Sequence, residues 1–196
     1  MHVWLSESIG VPAAVEVWRG PFGSRHDFEG RALSVEVKTT TARSSRKHHI
    51  NGIDQLTNPE GGPLLFFRLV IQREAGATNS IVVLIDAIRS VLQGDAEVAN
   101  AFDTALSRVG YSYAFRNRYA GITFSVVNAL LFAVDGSFPR LTKAEIVSGE
   151  LMPGVSEIEY NIDLGGLRAM AIADRRDAAI APLQRLGVQP AGVVRG

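Results

Sequence analysis

The stretch Leu64-Leu65-Phe66-Phe67-Arg68-Leu69-Val70-Ile71-Gln72 is apolar at both alternating sets of positions. It follows a firm breaker, Asn58-Pro59-Glu60-Gly61-Gly62-Pro63. A strand that is apolar in both directions has to be covered on both faces, which predicts a central sheet position over Leu64 to Gln72. The remaining elements have to supply the cover. A chain of 196 residues with 46% hydrophobic and 20% charged residues can bury one substantial core. Neither an internal repeat nor a clear linker divides it. The expectation is a single domain over residues 1–196 of the α/β (α+β) class, with a mixed central sheet and helices beside it.

Local patterns fill in that outline. Ala14 to Trp18, rich in Val, reads as a strand. His26 to Phe28 and Ala32 to Thr40 read as two strands of a hairpin bent near Gly30. Thr39 to His49 has no apolar periodicity and reads as a loop, and Ile50, Ile53 and Leu56 are spaced as on a short helix. Two amphipathic helices are expected over Asn79–Leu92 and Asp95–Val109, strands over Gly121–Val134 and Val155–Leu164, and a last helix around Arg176–Leu186. Trp18 and Phe28 are expected in the core.

Chemistry concentrates in Leu33-Ser34-Val35-Glu36-Val37-Lys38. On a strand the three apolar residues face one way, and Ser34, Glu36 and Lys38 the other. Glu36 and Lys38 are then about 7 Å apart along the strand. A carboxylate offers the hard oxygen that magnesium prefers, and a nearby ammonium can steady phosphoryl charge or handle a proton. Asp27 is the natural second carboxylate. With a tight two-residue turn at Glu29-Gly30 it lies opposite Ala32, about 13 Å short of Glu36. A wider loop or a sharp bend is needed for both to hold one ion. On its own, a Glu-x-Lys on a hairpin is usually a solvated pair.

A set of segments extends this motif: Ala14-Val15-Glu16-Val17-Trp18-Arg19-Gly20-Pro21, His26-Asp27-Phe28, Val35-Glu36-Val37-Lys38-Thr39-Thr40, His49-Ile50-Asn51 and Asp54-Gln55-Leu56. Further on stand Arg118-Tyr119-Ala120-Gly121, Phe138-Pro139-Arg140-Leu141, Val155-Ser156 and Tyr160-Asn161-Ile162-Asp163-Leu164. Together they resemble a bacterial family of PD-(D/E)XK nuclease relatives (DUF4420-like) linked to restriction and defence loci. The resemblance covers roughly Ala14 to Leu164. It implies a restriction-endonuclease-like fold, Asp27 and Glu36 as ligands of Mg2+ or Mn2+, and Lys38 as the catalytic lysine. Relatives begin with a longer helical segment carrying a Gly-Glu pair, and this chain starts after it. Either Glu7 or Glu16 substitutes for that acidic residue, or the activity is weakened or lost.

The expected activity is metal-dependent endonucleolytic hydrolysis of DNA in a restriction or anti-phage system. Arg43, Arg46, Lys47 and His49 follow the motif strand and are candidates to grip flanking phosphates. Gln55 is a candidate to touch the phosphate or the attacking water. A non-catalytic DNA-binding or scaffold subunit that keeps the fold is the competing reading, and an RNA-directed enzyme is a minor one. Twenty basic residues balance twenty acidic ones. That argues against nonspecific coating of DNA and for a homodimer or a partner subunit. The chain has no cysteine, which excludes thiolate metal sites and a cysteine nucleophile. No apolar run is long enough for a membrane span, so a cytoplasmic location is expected.

Overall fold

A computed structural model describes residues 2–41, 46–60, 62–146, 154–155 and 157–187. Five strands form a mixed sheet in the order β1-β2-β4-β6-β5: β1 (Phe28–Glu29), β2 (Ser34–Thr41), β4 (Leu64–Arg73), β6 (Thr123–Ala133) and β5 (Asn79–Ser80). Strand β2 runs parallel to β4, and the other pairings are antiparallel. The apolar run is therefore the middle strand, as its two-sided pattern requires. Phe66 and Phe67 point to opposite faces and both are fully buried.

The two faces carry separate cores. On one, Leu33, Val35, Leu65, Phe67 and Leu131 pack with Leu5 of α1 (His2–Ile9) and Leu183 of α6 (Arg176–Gln184). On the other, Leu64, Phe66, Leu130 and Phe132 are covered by a second, two-stranded sheet of β3 (Lys47–Ile50) and β7 (Tyr160–Asp163). Ile50, Ile162, Leu56 and Phe138 close that side. A third cluster joins α2 (Val11–Glu16), α3 (Ile81–Val91) and α4 (Ala96–Arg108) through Val11, Ile85, Phe102 and Leu106. The short α5 (Arg116–Ala120) follows α4. Helices α3 and α4 begin where side chains cap them: Ser80 accepts from the Val83 N–H and Asp95 from the Val98 N–H. Caps of this kind contribute about 1 kcal/mol each.

Four local expectations are corrected. Residues 11–16 are helical, with Pro12 in the first turn, where its missing N–H costs nothing. Only Trp18 of the expected first strand pairs, through a single bridge to Phe28. The polar stretch after Lys38 is strand on both sides: β2 continues to Thr41 and β3 spans Lys47–Ile50. Ile50 ends that strand, and Ile53 to Leu56 is a turn rather than a helix. The strand expected over Val155–Leu164 is confined to Tyr160–Asp163.

Candidate functional site

The hairpin settles where Asp27 stands. Phe28 pairs with Val35 and Glu29 with Ser34, so the connecting loop is Gly30 to Leu33 rather than a two-residue turn. The Gly30 N–H donates to the Leu33 carbonyl and closes it. Asp27 stands one step before the Phe28–Val35 pair, which brings it level with Glu36, near enough for its charge to act on that carboxyl. The gap expected from a tight turn is thereby removed by two extra loop residues.

Asp27 is held at both oxygens. Oδ2 accepts from the Val37 N–H at 2.8 Å. Oδ1 lies against Gly20, where a Cβ would come within 2.6 Å of it. The backbone N–H groups of Arg19 and Gly20 both donate to the Asp27 carbonyl. Burial pushes the Asp27 carboxyl up, against the Val37 hydrogen bond and the Lys38 charge.

Glu36 is only 3% exposed, and the polar face of β2 is covered rather than solvated. Its Oε1 accepts from the Lys38 ammonium at 3.0 Å and from the Gln55 amide at 3.0 Å. Burial first, and the Asp27 charge second, raise its pKa to about 7, against the pull of Lys38. A charge on Asp27 opposes ionisation of Glu36. A buried carboxylate pair with one lysine is costly to fold around. Such an arrangement is characteristic of a site that works on charge.

Gln55 is fixed from two sides. Its Oε1 accepts from the Asn51 N–H at 2.9 Å, so its amide NH2 is aimed at Glu36. Its backbone carbonyl is 3.1 Å from Nε2 of His26, which is 1% exposed. Burial holds His26 below its ordinary pKa, so the neutral ring donates there. His26 is thus a positioning residue beside Asp27. An open cavity of about 400 Å3 lies next to Gln55, lined by Arg25, Asn51, Gly52, Asp54 and Glu157 among others.

A second polar group lies on the same face. Lys38 registers beside Arg68 of β4. The Arg68 guanidinium donates from Nε to His48 at 3.2 Å and from Nη1 to Asn128 at 2.8 Å. Burial, then the Arg68 and Lys38 charges, push His48 down to about 4, which leaves it a neutral acceptor. An arginine inside an otherwise apolar central strand was the available sequence signal for this group. The spacing of His48 and Asn128 gave none.

The basic candidates fall on β3 and its approach. Lys47 and His49 occupy the exposed side of that strand, while His48 and Ile50 turn inward. Arg46 pairs with Asp163 at 3.5 Å and His49 with Glu159 at 3.4 Å, all four well exposed. Arg43 lies outside the described residues. Neither Glu7 nor Glu16 joins the two carboxylates: Glu7 pairs with Arg176 of α6 at 2.8 Å, and Glu16 is exposed at the end of α2.

The donor chemistry fits a small hard cation. Magnesium takes one or two carboxylates and keeps the rest of its shell for water and phosphate oxygens. Among the described residues there is no cluster of three or more His, Asp or Glu groups that would suit a fully protein-ligated ion. Two neighbouring carboxyls, with Glu36 held back from ionising by burial first and by the Asp27 charge second, are what such a cation would stabilise.

Among the described residues no helix is long and apolar enough to cross a membrane. No curated protein and no solved structure matches the chain. One family model does, over residues 1–165, and its description reads "Putative PD-(D/E)XK family member" (DUF4420). The match spans the hairpin, β2, the Gln55 turn and the α+β sheet that carries them, and the chain belongs to this family.

Proposed function

We propose that the protein is a cytoplasmic, metal-dependent DNA endonuclease of a restriction or anti-phage system, working alone as a homodimer or beside a partner subunit. The observation that carries the reading is the hairpin register, which brings Asp27 level with Glu36, with the Lys38 ammonium 3.0 Å from the Glu36 carboxylate.

In this reading Asp27 and Glu36 hold Mg2+ or Mn2+. A bound divalent cation supplies Lewis-acid charge at the phosphoryl group. Lys38, in contact with Glu36 at 3.0 Å, orients the attacking water and balances charge as the phosphodiester opens. Gln55 keeps the Glu36 carboxylate turned toward Lys38 and reaches the cavity with its amide. Arg46, Lys47 and His49 form a basic rim on β3, with Arg43 next to it in sequence. Exposed ion pairs such as Arg46–Asp163 are weak, so a phosphate can replace the carboxylate partner at little cost.

The test is cleavage of supercoiled plasmid with Mg2+ or Mn2+. Wild type is expected to nick or linearise it and to stop with EDTA. Lys38→Ala is expected to slow cleavage by about 100-fold. Gly20→Ala is expected to cost about 10- to 100-fold with little loss of stability, because the new Cβ displaces Asp27 and the backbone at Gly20 is not left-handed. No cleavage by any form would favour the scaffold reading if the chain also binds no divalent cation, and an enzyme that needs its partner if it does.

A further inference from the structure

The turn that presses on Asp27 also presents an aromatic ring to solvent. Gly20–Phe22 is one 3-10 turn, and Phe22 is 41% exposed. Two guanidiniums lie over its ring: Arg19 at 5.5 Å and Arg108, from the end of α4, at 4.9 Å. Both arginines are exposed, and neither is ion-paired with a carboxylate among the described residues. The turn is not a loose loop. Two of its N–H groups donate to the Asp27 carbonyl, and Phe22 and Gly23 close it by bonding back to Arg19 and Gly20. Phe22 thus has a fixed position relative to the carboxylates. Arg25, also exposed, lies past the turn at the cavity beside Gln55.

A flat, exposed ring beside two cations suits one ligand chemistry: an unpaired nucleobase on the ring, with its neighbouring phosphates drawing the guanidiniums off it. We propose that Arg19, Phe22 and Arg108 form a stacking clamp for an unpaired base of the substrate strand. The nuclease would then act on DNA whose strand is open beside the cleaved bond, such as a single strand, an overhang, a frayed end or a locally unwound segment of a supercoiled plasmid. In an intact duplex the bases are stacked on one another and cannot take the ring. The inference rests on the nuclease reading.

The test uses the full chain with Lys38→Ala in EDTA to stop hydrolysis. Affinity for a fluorescein-labelled single-stranded oligonucleotide and for a blunt duplex of the same sequence is read by anisotropy, with Phe22 intact, Phe22→Ala and Phe22→Trp. Phe22→Ala is expected to weaken single-strand binding by about 10-fold and duplex binding by less than about two-fold, and Phe22→Trp to restore the first. On a Lys38 background, Phe22→Ala should raise KM for the single strand more than it lowers kcat. Equal losses on both DNAs, or none, would overturn the clamp. If the unmutated chain cleaves DNA while Phe22→Ala is without effect, only the clamp falls. If the unmutated chain neither binds nor cleaves either DNA, the nuclease reading falls with it.

Discussion

Glu36→Gln is expected to abolish cleavage and, at the same time, to make the metal-free protein more stable at pH 8. The carboxylate is buried beside Asp27, and its pKa rises from 4.5 to about 7 on folding. Below pH 4.5 both folded and unfolded chains hold the proton, so the group costs nothing. Between 4.5 and about 7 the unfolded chain releases it first, and stability falls as pH rises. Above about 7 the full penalty remains, about 3 kcal/mol from the difference between those two values, with the pull of Lys38 already included. A glutamine keeps the shape and still accepts from Lys38, but it carries no charge. Chemical denaturation across pH 4 to 9 should therefore show a flatter profile for Glu36→Gln, with the two proteins converging at acid pH. Cleavage should drop by about 1000-fold or more, since the variant loses a transition-state charge contact and a cation ligand together. A variant less stable than wild type at pH 8 would contradict the burial argument.

Phe66→Ala is expected to cost about 3–5 kcal/mol of stability. Phe66 is fully buried in the middle strand, pairs in register with Glu36 on one side and Phe132 on the other, and shares their face. Its ring meets Phe138 at 5.3 Å and the His48 ring edge-on at 5.9 Å. Truncation opens a void under the face that carries Glu36, between layers that cannot close independently. For a chain of this length the loss corresponds to roughly 10 °C in Tm. Phe66→Leu, which refills most of the space, should cost far less. A lowered denaturation midpoint with an unchanged slope would show lost packing rather than an altered unfolded state. Water admitted beside Glu36 should also bring its pKa back toward 4.5, so the stability gap should narrow above pH 7.

Periodicity carried the sheet. The two-sided apolar run of β4 and the alternation of Leu33, Val35 and Val37 located the central strands and the polar face of β2. They did so because burial is a repeating, local constraint. Glu36 and Lys38 stood out as candidates for the same reason, and the family resemblance added Asp27. The register of Asp27 was not legible, since a four-residue and a two-residue loop are both compatible with Glu29-Gly30-Arg31-Ala32. That choice depends on pairing beyond the turn. The Val-rich stretch 14–18 suggested a strand, yet Pro12 starts a helix there and packing on α4 decides it. Strands β3 and β7 meet across more than a hundred residues, so nothing near Lys47 announces the pairing. Gln55 was visible as a candidate, but its aim depends on Asn51 and on a buried His26 whose partner is a backbone carbonyl.

The most direct measurement is calorimetric titration of Mn2+ into the wild-type chain, Asp27→Asn and Glu36→Gln at pH 8. If the two carboxylates form one cation site, wild type binds and each single substitution removes the binding. Unchanged binding in both variants, or no binding by wild type at millimolar Mn2+, would contradict the site.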